Sequence, residues 1–509
     1  MSTSSRVIKN TGYLYAKMGI TILISLYSTR LILASLGKDD FGIYNVVGGV
    51  VALFGFFSGT LANATQRFMS YAEGERDLKK KIKVFNVSVV LNFFIAILTA
   101  LLLIVSMYPL FHGVFNISSD RIFATQIVYY CLIFSTILTI INVPYEAVMN
   151  AHENMKYYSI IGIFESSLRL VIAFICVYTV NDKLIVYGVL MTIIPLITLS
   201  IMKLYCHRHY EECILAPLQY WDVEIVKQIA GFFGWNFLTA ISSILSFHGG
   251  GIVLNHYFGT TLNAAQGIAQ QVNGTVSSFS TNMMKALNPV IVKNAGAKNN
   301  LAMNRATVTG CKYSGFLIMF FGIPLMLEIQ YVLSIWLKDV PEWAAIFVVM
   351  QLIQGIITNI ASGAATAVYA QGDIKHYAIW KSIMNVLPLL ITWYAFNIGG
   401  GPLWLYIPMV IIWAIGGDIV IIVFADKKCG INILYYVKEV IYPLSMTTII
   451  MLLCGVLPIS LLEESIWRLI ITCIMTTAGM ITSCFLFAMT KNEKDQAKQF
   501  VNSLLNGIR

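Results

Sequence analysis

Lys285 ends a polar stripe. Gln271, Ser278, Asn282 and Lys285 recur near helical spacing inside an otherwise apolar run. A polar group facing lipid is costly, so such a stripe points at a bundle interior or a water-filled cavity. A stripe that ends in an ammonium is harder to explain by close helix packing. Arg30 is the second cation of interest. It sits inside the first apolar run near its outer end, as Lys17 does near the inner end, where snorkelling to a headgroup competes with a cavity role. Arg67 lies closer still to an interface and is expected to snorkel. Asn45, Asn63 and Asn236 add polar positions in neighbouring runs, for which close helix packing is the competing explanation.

The acids suggest a second kind of chemistry. Glu165 and Arg169 stand four residues apart with the acid first, the favourable order for an intrahelical ion pair. They are either a neutralised pair holding the bundle or a protonatable carboxylate tuned by its partner. Asp418 is an isolated acid within an apolar run, and Glu146 and Glu328 lie near run ends. Glu165, Arg169 and Asp418 are the candidates for coupling to an ion, H+ or Na+. No metal centre is expected, because Cys206, His207, His209 and Cys213 match no zinc spacing. The nine cysteines include no CxxC pair and suggest no disulfide framework. No phosphate-binding loop, dinucleotide fingerprint or nucleophile elbow is present, so neither ATP hydrolysis nor a cofactor is expected.

These residues need a membrane bundle to position them. The chain has 509 residues, 58% hydrophobic and 12% charged, about half the charge of a soluble domain, which is about 25%. Apolar runs long enough to span recur throughout, giving an all-α polytopic membrane protein of about fourteen helices. The first run should be a retained span and not a cleaved signal. The net charge of +9 lies in short loops, so topology explains it and nucleic acid is not an expected partner. Arg6, Lys79, Lys80, Lys81, Lys203, Arg208, Lys293, Lys298, Lys427 and Lys428 fall on one side, whereas Lys38, Arg121, Lys183, Lys338 and Arg468 fall on the other. Both termini are therefore expected in the cytoplasm.

The run Leu36–Glu75 returns in the second half at a constant offset. Leu36-Gly37 aligns with Phe258-Gly259, Asn45 with Gly267, Ser58 with Ser280 and Gly74 with Gly296. A second match sets AHENMKYY from Ala151 against AQGDIKHY from Ala370. This is a duplicated transporter half, and an even span number makes the copies parallel repeats. The expected organisation is a six-helix lobe over 1–206, a cytoplasmic linker over 207–227, a second six-helix lobe over 228–424, and two further helices with a cytoplasmic tail over 425–509. The linker, charged and aromatic, reads as an interfacial amphipathic segment. Charge does not follow the repeat: Arg30 aligns with Ile252, Lys285 with Asn63, Glu165 with Met384 and Arg169 with Pro388. An asymmetric ligand would need such asymmetry.

The segment YSTRLILASLGKDDFGIYNVVGGVVALF, followed by ANATQRF, resembles the N-terminal helices of Wzx-type polysaccharide repeat-unit flippases. These belong to the multidrug/oligosaccharidyl-lipid/polysaccharide (MOP) exporter superfamily, together with the MATE pumps. The resemblance implies a MATE-like, V-shaped pair of pseudo-symmetric lobes around a central cavity. It implies transfer of an undecaprenyl-pyrophosphate-linked oligosaccharide (an O-antigen, capsule or exopolysaccharide unit) across the bacterial inner membrane by alternating access. Arg30 and Lys285 would then hold the pyrophosphate, with Asn45, Asn63, Asn236, Gln271, Ser278 and Asn282 lining the cavity. Expected partners are membrane lipids, a polysaccharide polymerase and a chain-length regulator, with the protein itself a monomer. The alternative on the same fold is a MATE-like cation-coupled drug or metabolite antiporter. A polysaccharide polymerase or glycosyltransferase fits less well, because the loops around His112–Arg121 and Ser334–Pro341 are too short for an enzyme site; the expectation is that the chain is not an enzyme.

Overall fold

The computed structural model describes residues 3–114, 117–337, 339–488 and 494. Lys338 and the expected C-terminal tail, apart from residue 494, lie outside the described residues. Among those described there are helices and no strands.

Eleven helices are long and apolar enough to cross a membrane, and two further pairs pass the same test when each is taken as one bent span. In chain order they are α1 (Arg6–Gly37), α2 (Asp39–Ala52 with Gly55–Glu75), α3 (Leu78–His112), α4 (Ile122–Ala151), α5 (Met155–Tyr178), α6 (Lys183–His209) and α7 (Val223–Gly259). The helix that continues beyond Gly259 is α8 (260–296), which is long enough to span but far more polar. Then come α9 (Asn300–Leu327), α10 (Ala344–Ile360 with Ser362–Ala370), α11 (Lys375–Asn397), α12 (Pro402–Cys429), α13 (Ile433–Leu461) and α14 (Ile466–Phe487). The expected fourteen segments are thus all helical.

Local chemistry starts these helices where the sequence places short polar residues. Asp77, Asn154, Asp182 and Asp222 each accept a hydrogen bond from a first-turn backbone N–H of α3, α5, α6 and α7. Gly37 and Gly259 each take φ 79°, breaking α1 from α2 and α7 from α8. That left-handed backbone is open to glycine at no steric cost, which explains why the repeat keeps glycine at both corners. The equivalence extends further. Arg76 and Lys298, one repeat apart, have φ 58° and 54°, and Glu153 and Gly372, paired by the second match, have 57° and 86°.

Two compact units divide the chain. One comprises Met1–Ile241, Ala286–Asn299 and Gly372–Ile374; the other comprises Ser242–Lys285, Asn300–Gln371 and Lys375–Arg509. The division cuts α7 and α8 instead of following the repeat boundary near residue 206. In the first unit α1 packs along α5, and α4 lies against α2, α3 and α6. Its core gathers Ile32, Val47, Leu103, Val128, Tyr129 and Ala173. The segment 210–222 contains turns and no helix. Asn86 of α3 holds it, donating to the Ile214 carbonyl at 2.7 Å and accepting from the Ala216 N–H at 2.9 Å. In the second unit α9 packs on α10 and α13, α13 on α14, and α11 on α12. Within α12, Met409–Gly416 winds as a π-helix just before Gly417 and Asp418.

Candidate functional site

In the first unit, the LGKDDFGIY motif builds a corner. Arg121 binds the Asp40 carboxylate with two nitrogens and reaches Asp182 at 2.8 Å. Tyr44 packs on Tyr187 with ring centroids 4.7 Å apart. The motif that carries the resemblance therefore ties the start of α2 to the N-termini of α4 and α6. Arg30 is exposed on α1, and Asn45 and Asn63 are exposed on α2. Asn45 donates to its own helix, at the Phe41 carbonyl, at 2.8 Å. Asn236 is buried and donates to the Thr60 carbonyl of α2 at 3.4 Å. Arg169 donates to Glu165 at 2.6 Å within α5, with the arginine exposed. Lys17 does not run out along its helix. Its Nζ lies 4.3 Å above the Tyr158 ring, and its chain crosses Gly162 where a Cβ would come within 2.2 Å of the lysine Cε.

The second unit holds the polar stripe. On α8, Gln271 is exposed, and Ser278, Asn282 and Lys285 are half-buried. Neighbouring α8 side chains pack onto α10: Ser280 donates to Asn359 at 2.5 Å, and Gly355 leaves room for Asn273. Buried Asn385 of α11 donates to Ser242 at 3.1 Å and Ser243 at 2.8 Å. Gln351 and Gln354 of α10 and Lys312 of α9 are likewise buried. Asn385, Gln351, Gln354 and Lys312 are not legible in the sequence, because each sits in a run that otherwise reads as packed core.

Asp418 is 6% exposed, and neither carboxylate oxygen has a hydrogen-bond partner. Lys381 of α11 lies across the adjacent glycine, where a Cβ on Gly417 would be 2.2 Å from its Nζ. A buried carboxylate with free acceptor capacity beside one ammonium can take up a proton or a small cation. Glu328 and Arg468, placed by sequence near a helix end and on the outer side, form a buried bidentate pair. Arg468 Nε and Nη2 donate to Glu328 at 3.1 and 2.8 Å, and Thr472 adds a third donor at 2.8 Å.

At the opposite end of the first unit from Arg121, Glu73, His152 and Glu212 come together. Lys81 Nζ lies 2.9 Å from Glu73 and 3.8 Å from Glu212, so an ammonium already occupies the space between these carboxylates. The cluster is an ion-pair network. Cys206 and Cys213 meet through their thiols and His207 reaches the Cys213 backbone, but His209 turns away to stack on Tyr205, so the four side chains do not share one point.

The MatE family model matches residues 18–175, from within α1 to the last turn of α5. No curated protein matches the chain. The fold is similar to that of solved MATE transporters. A MATE structure in the bent conformation superposes with a TM-score of 0.73 at 13% identity, covering 84% of this chain and 95% of that one. An outward-facing multidrug resistance MATE family transporter of the MOP superfamily gives 0.69 at 14%, with the same coverage. The MATE transporter ClbM in complex with Rb+ gives 0.67 at 12%, covering 84% and 97%. The chain is a multi-pass membrane protein, helical and without strands among the described residues, whose residues 18–175 match the MatE model and whose fold is that of solved MATE transporters.

Proposed function

We propose that this chain flips an undecaprenyl-pyrophosphate-linked oligosaccharide from the cytoplasmic to the outer leaflet of a bacterial inner membrane, by alternating access and with both termini in the cytoplasm. The observation that carries this reading is the α8 stripe: amide, hydroxyl and ammonium groups in series on a helix too polar to face lipid. In the second unit Lys285 supplies a cation for the pyrophosphate, while Gln271, Ser278 and Asn282 supply hydrogen bonds for the sugar. In the first unit Arg30 is the candidate cation and Asn45, Asn63 and Asn236 are the candidate polar groups. A polymerase and a chain-length regulator act on the product.

A second reading, a cation-coupled drug or metabolite antiporter, draws on Asp418. A buried carboxylate without hydrogen-bond partners is an expensive feature that ion coupling would explain. The two readings part on cargo, and coupling through Asp418 serves either. The deciding experiment measures the leaflet distribution of undecaprenyl-linked glycans with a membrane-impermeant sugar probe, in cells with and without the gene. Complete repeat units accumulating on the cytoplasmic face of the deletion strain, and cleared on complementation, support flipping. Unchanged lipid-linked glycans refute it and favour the antiporter. Unpolymerised units already on the outer face would point to a polymerase instead.

A further inference from the structure

Two clips, one turn apart, hold the link between α6 and α7 against α3. Asn86 holds the Ile214 carbonyl and the Ala216 N–H, and Lys83 Nζ stands 3.0 Å from Asp222. The charged start of α3 ends at Lys83, and no charged residue follows before the helix ends at His112. Asn86 therefore sits at the step from charged to apolar sequence, the level of a headgroup boundary. Asn86, Phe93 and Ile97 stand on one face of α3 by helical spacing. Phe93 and Ile97 are exposed, so this is a face that α3 turns to lipid, and the link covers buried Asn86 at its inner edge.

The backbone of the link pairs without forming a helix. Besides the two bonds to Asn86, the Cys213 N–H donates to the Tyr210 carbonyl at 3.2 Å. The Gln219 and Tyr220 N–H groups both donate to the Ala216 carbonyl, at 3.0 and 3.1 Å. Pro217 has no N–H to satisfy. A loop bathed in water can leave such groups to solvent, whereas backbone that borders hydrocarbon must find partners within the protein. The side chains agree: Glu212 and Cys213 are buried, while Ile214, Leu215, Leu218 and Trp221 are exposed, Leu218 completely. Ile214, held at Asn86, lies at the inner edge of the face that carries Phe93 and Ile97.

We propose that the link between α6 and α7 is seated in the bilayer, with Ile214, Leu215, Leu218 and Trp221 among the acyl chains of the adjoining leaflet. The partner is lipid and not a second protein, because the patch adjoins a lipid-facing helix face and is carried on backbone paired as hydrocarbon requires. Apolar side chains at an interface reach about 5–10 Å into the headgroup and acyl boundary, and tryptophan suits that boundary. Anionic headgroups are not what holds the seat: exposed Arg208 and Lys227 are offset by exposed Glu211 and Glu224, and Lys83 is paired with Asp222. Under the orientation inferred from Lys and Arg, the leaflet is the cytoplasmic one. The chain between the two repeats then runs in the membrane surface and not free in the cytosol.

The test places the photo-crosslinking residue p-benzoyl-phenylalanine at position 218 of the full chain in cells and identifies by mass spectrometry what it captures. Phospholipid adducts are expected at position 218 and none at position 211, which is exposed and acidic. Capture of protein alone or of nothing at position 218, or equal lipid capture at both positions, overturns the proposal. Should the position 218 variant not fold, Trp221 decides. Its emission in lipid nanodiscs is the difference between wild type and Trp221→Phe. That emission should be lost to phospholipid brominated near the headgroup end of its acyl chains, in neutral and anionic nanodiscs alike, and kept in aqueous iodide. Loss to iodide with none to brominated lipid, or loss to brominated lipid only in anionic nanodiscs, overturns the proposal. Neither readout involves transport, so the result stands apart from the cargo.

Discussion

Gly74 and Gly296 are buried where the end of α2 meets the end of α8, backbone against backbone, and alanine at Gly296 tests this crossing most directly. Its Cβ would sit 2.1 Å from the Tyr71 oxygen, against a settled carbon–oxygen contact of about 3.3–3.6 Å. The opposing atom is backbone, so no side chain can swing aside, and α8 must retreat from α2 by roughly 1 Å or more. Overpacking of this kind costs about 1–3 kcal/mol, which shifts the balance between crossed and separated ends by about 5- to 150-fold. Gly74→Ala meets the Lys293 oxygen at 2.0 Å and should cost about the same. Because one separation relieves both clashes, the double variant should be markedly less disturbed than the sum of the singles. Hydrogen exchange over 71–77 and 286–299 measures each shift. Wild-type protection in either single variant, or strict additivity in the double, would refute the reasoning.

Arg468→Met leaves the Glu328 carboxylate buried with Thr472 alone, and should destabilise the protein by about 3–5 kcal/mol; adding Glu328→Met should recover most of that in thermal unfolding in detergent. Burial pushes the Glu212 carboxyl up, but the hydrogen bond and charge of His152, with Lys81, more than reverse this and hold it below its ordinary 4.5. Its contribution is thus fully present above that value and lost as pH falls through the lowered pKa, so Glu212→Gln should flatten acid destabilisation below about pH 4.5. Lys285→Ala should slow glycan transfer in the leaflet assay more than Lys38→Ala, and equal full activity in both would remove Lys285 from the mechanism. Asp418→Asn should abolish dependence on the coupling ion in proteoliposomes while leaving the fold intact; unchanged ion dependence would exclude Asp418 as the coupling group.

Hydropathy and the repeat carried the architecture because both are written in residue types. A span needs apolar length, and a left-handed corner or a backbone crossing needs glycine, so Gly37, Gly259, Gly74 and Gly296 were all legible as equivalent pairs. Partners of charged groups were not legible. Arg468 read as an outer-side cation and is a buried partner of Glu328, 140 residues away in the chain. Asp40 read as part of a family motif and is a corner brace for Arg121. Lys17 read as a candidate for snorkelling, and it lies over Tyr158 because Gly162 on α5 opens the way. His152 read only as part of the second repeat match, since nothing in its neighbourhood along the chain shows that Glu73 and Glu212 arrive on either side of its ring. The sequence alone determined that this is a duplicated helical membrane protein with polar groups at depth, because burial cost and backbone sterics act on each residue where it stands. Which charges meet was decided only by the tertiary structure, because Coulomb and hydrogen-bond energies depend on distances that the packing of remote helices sets.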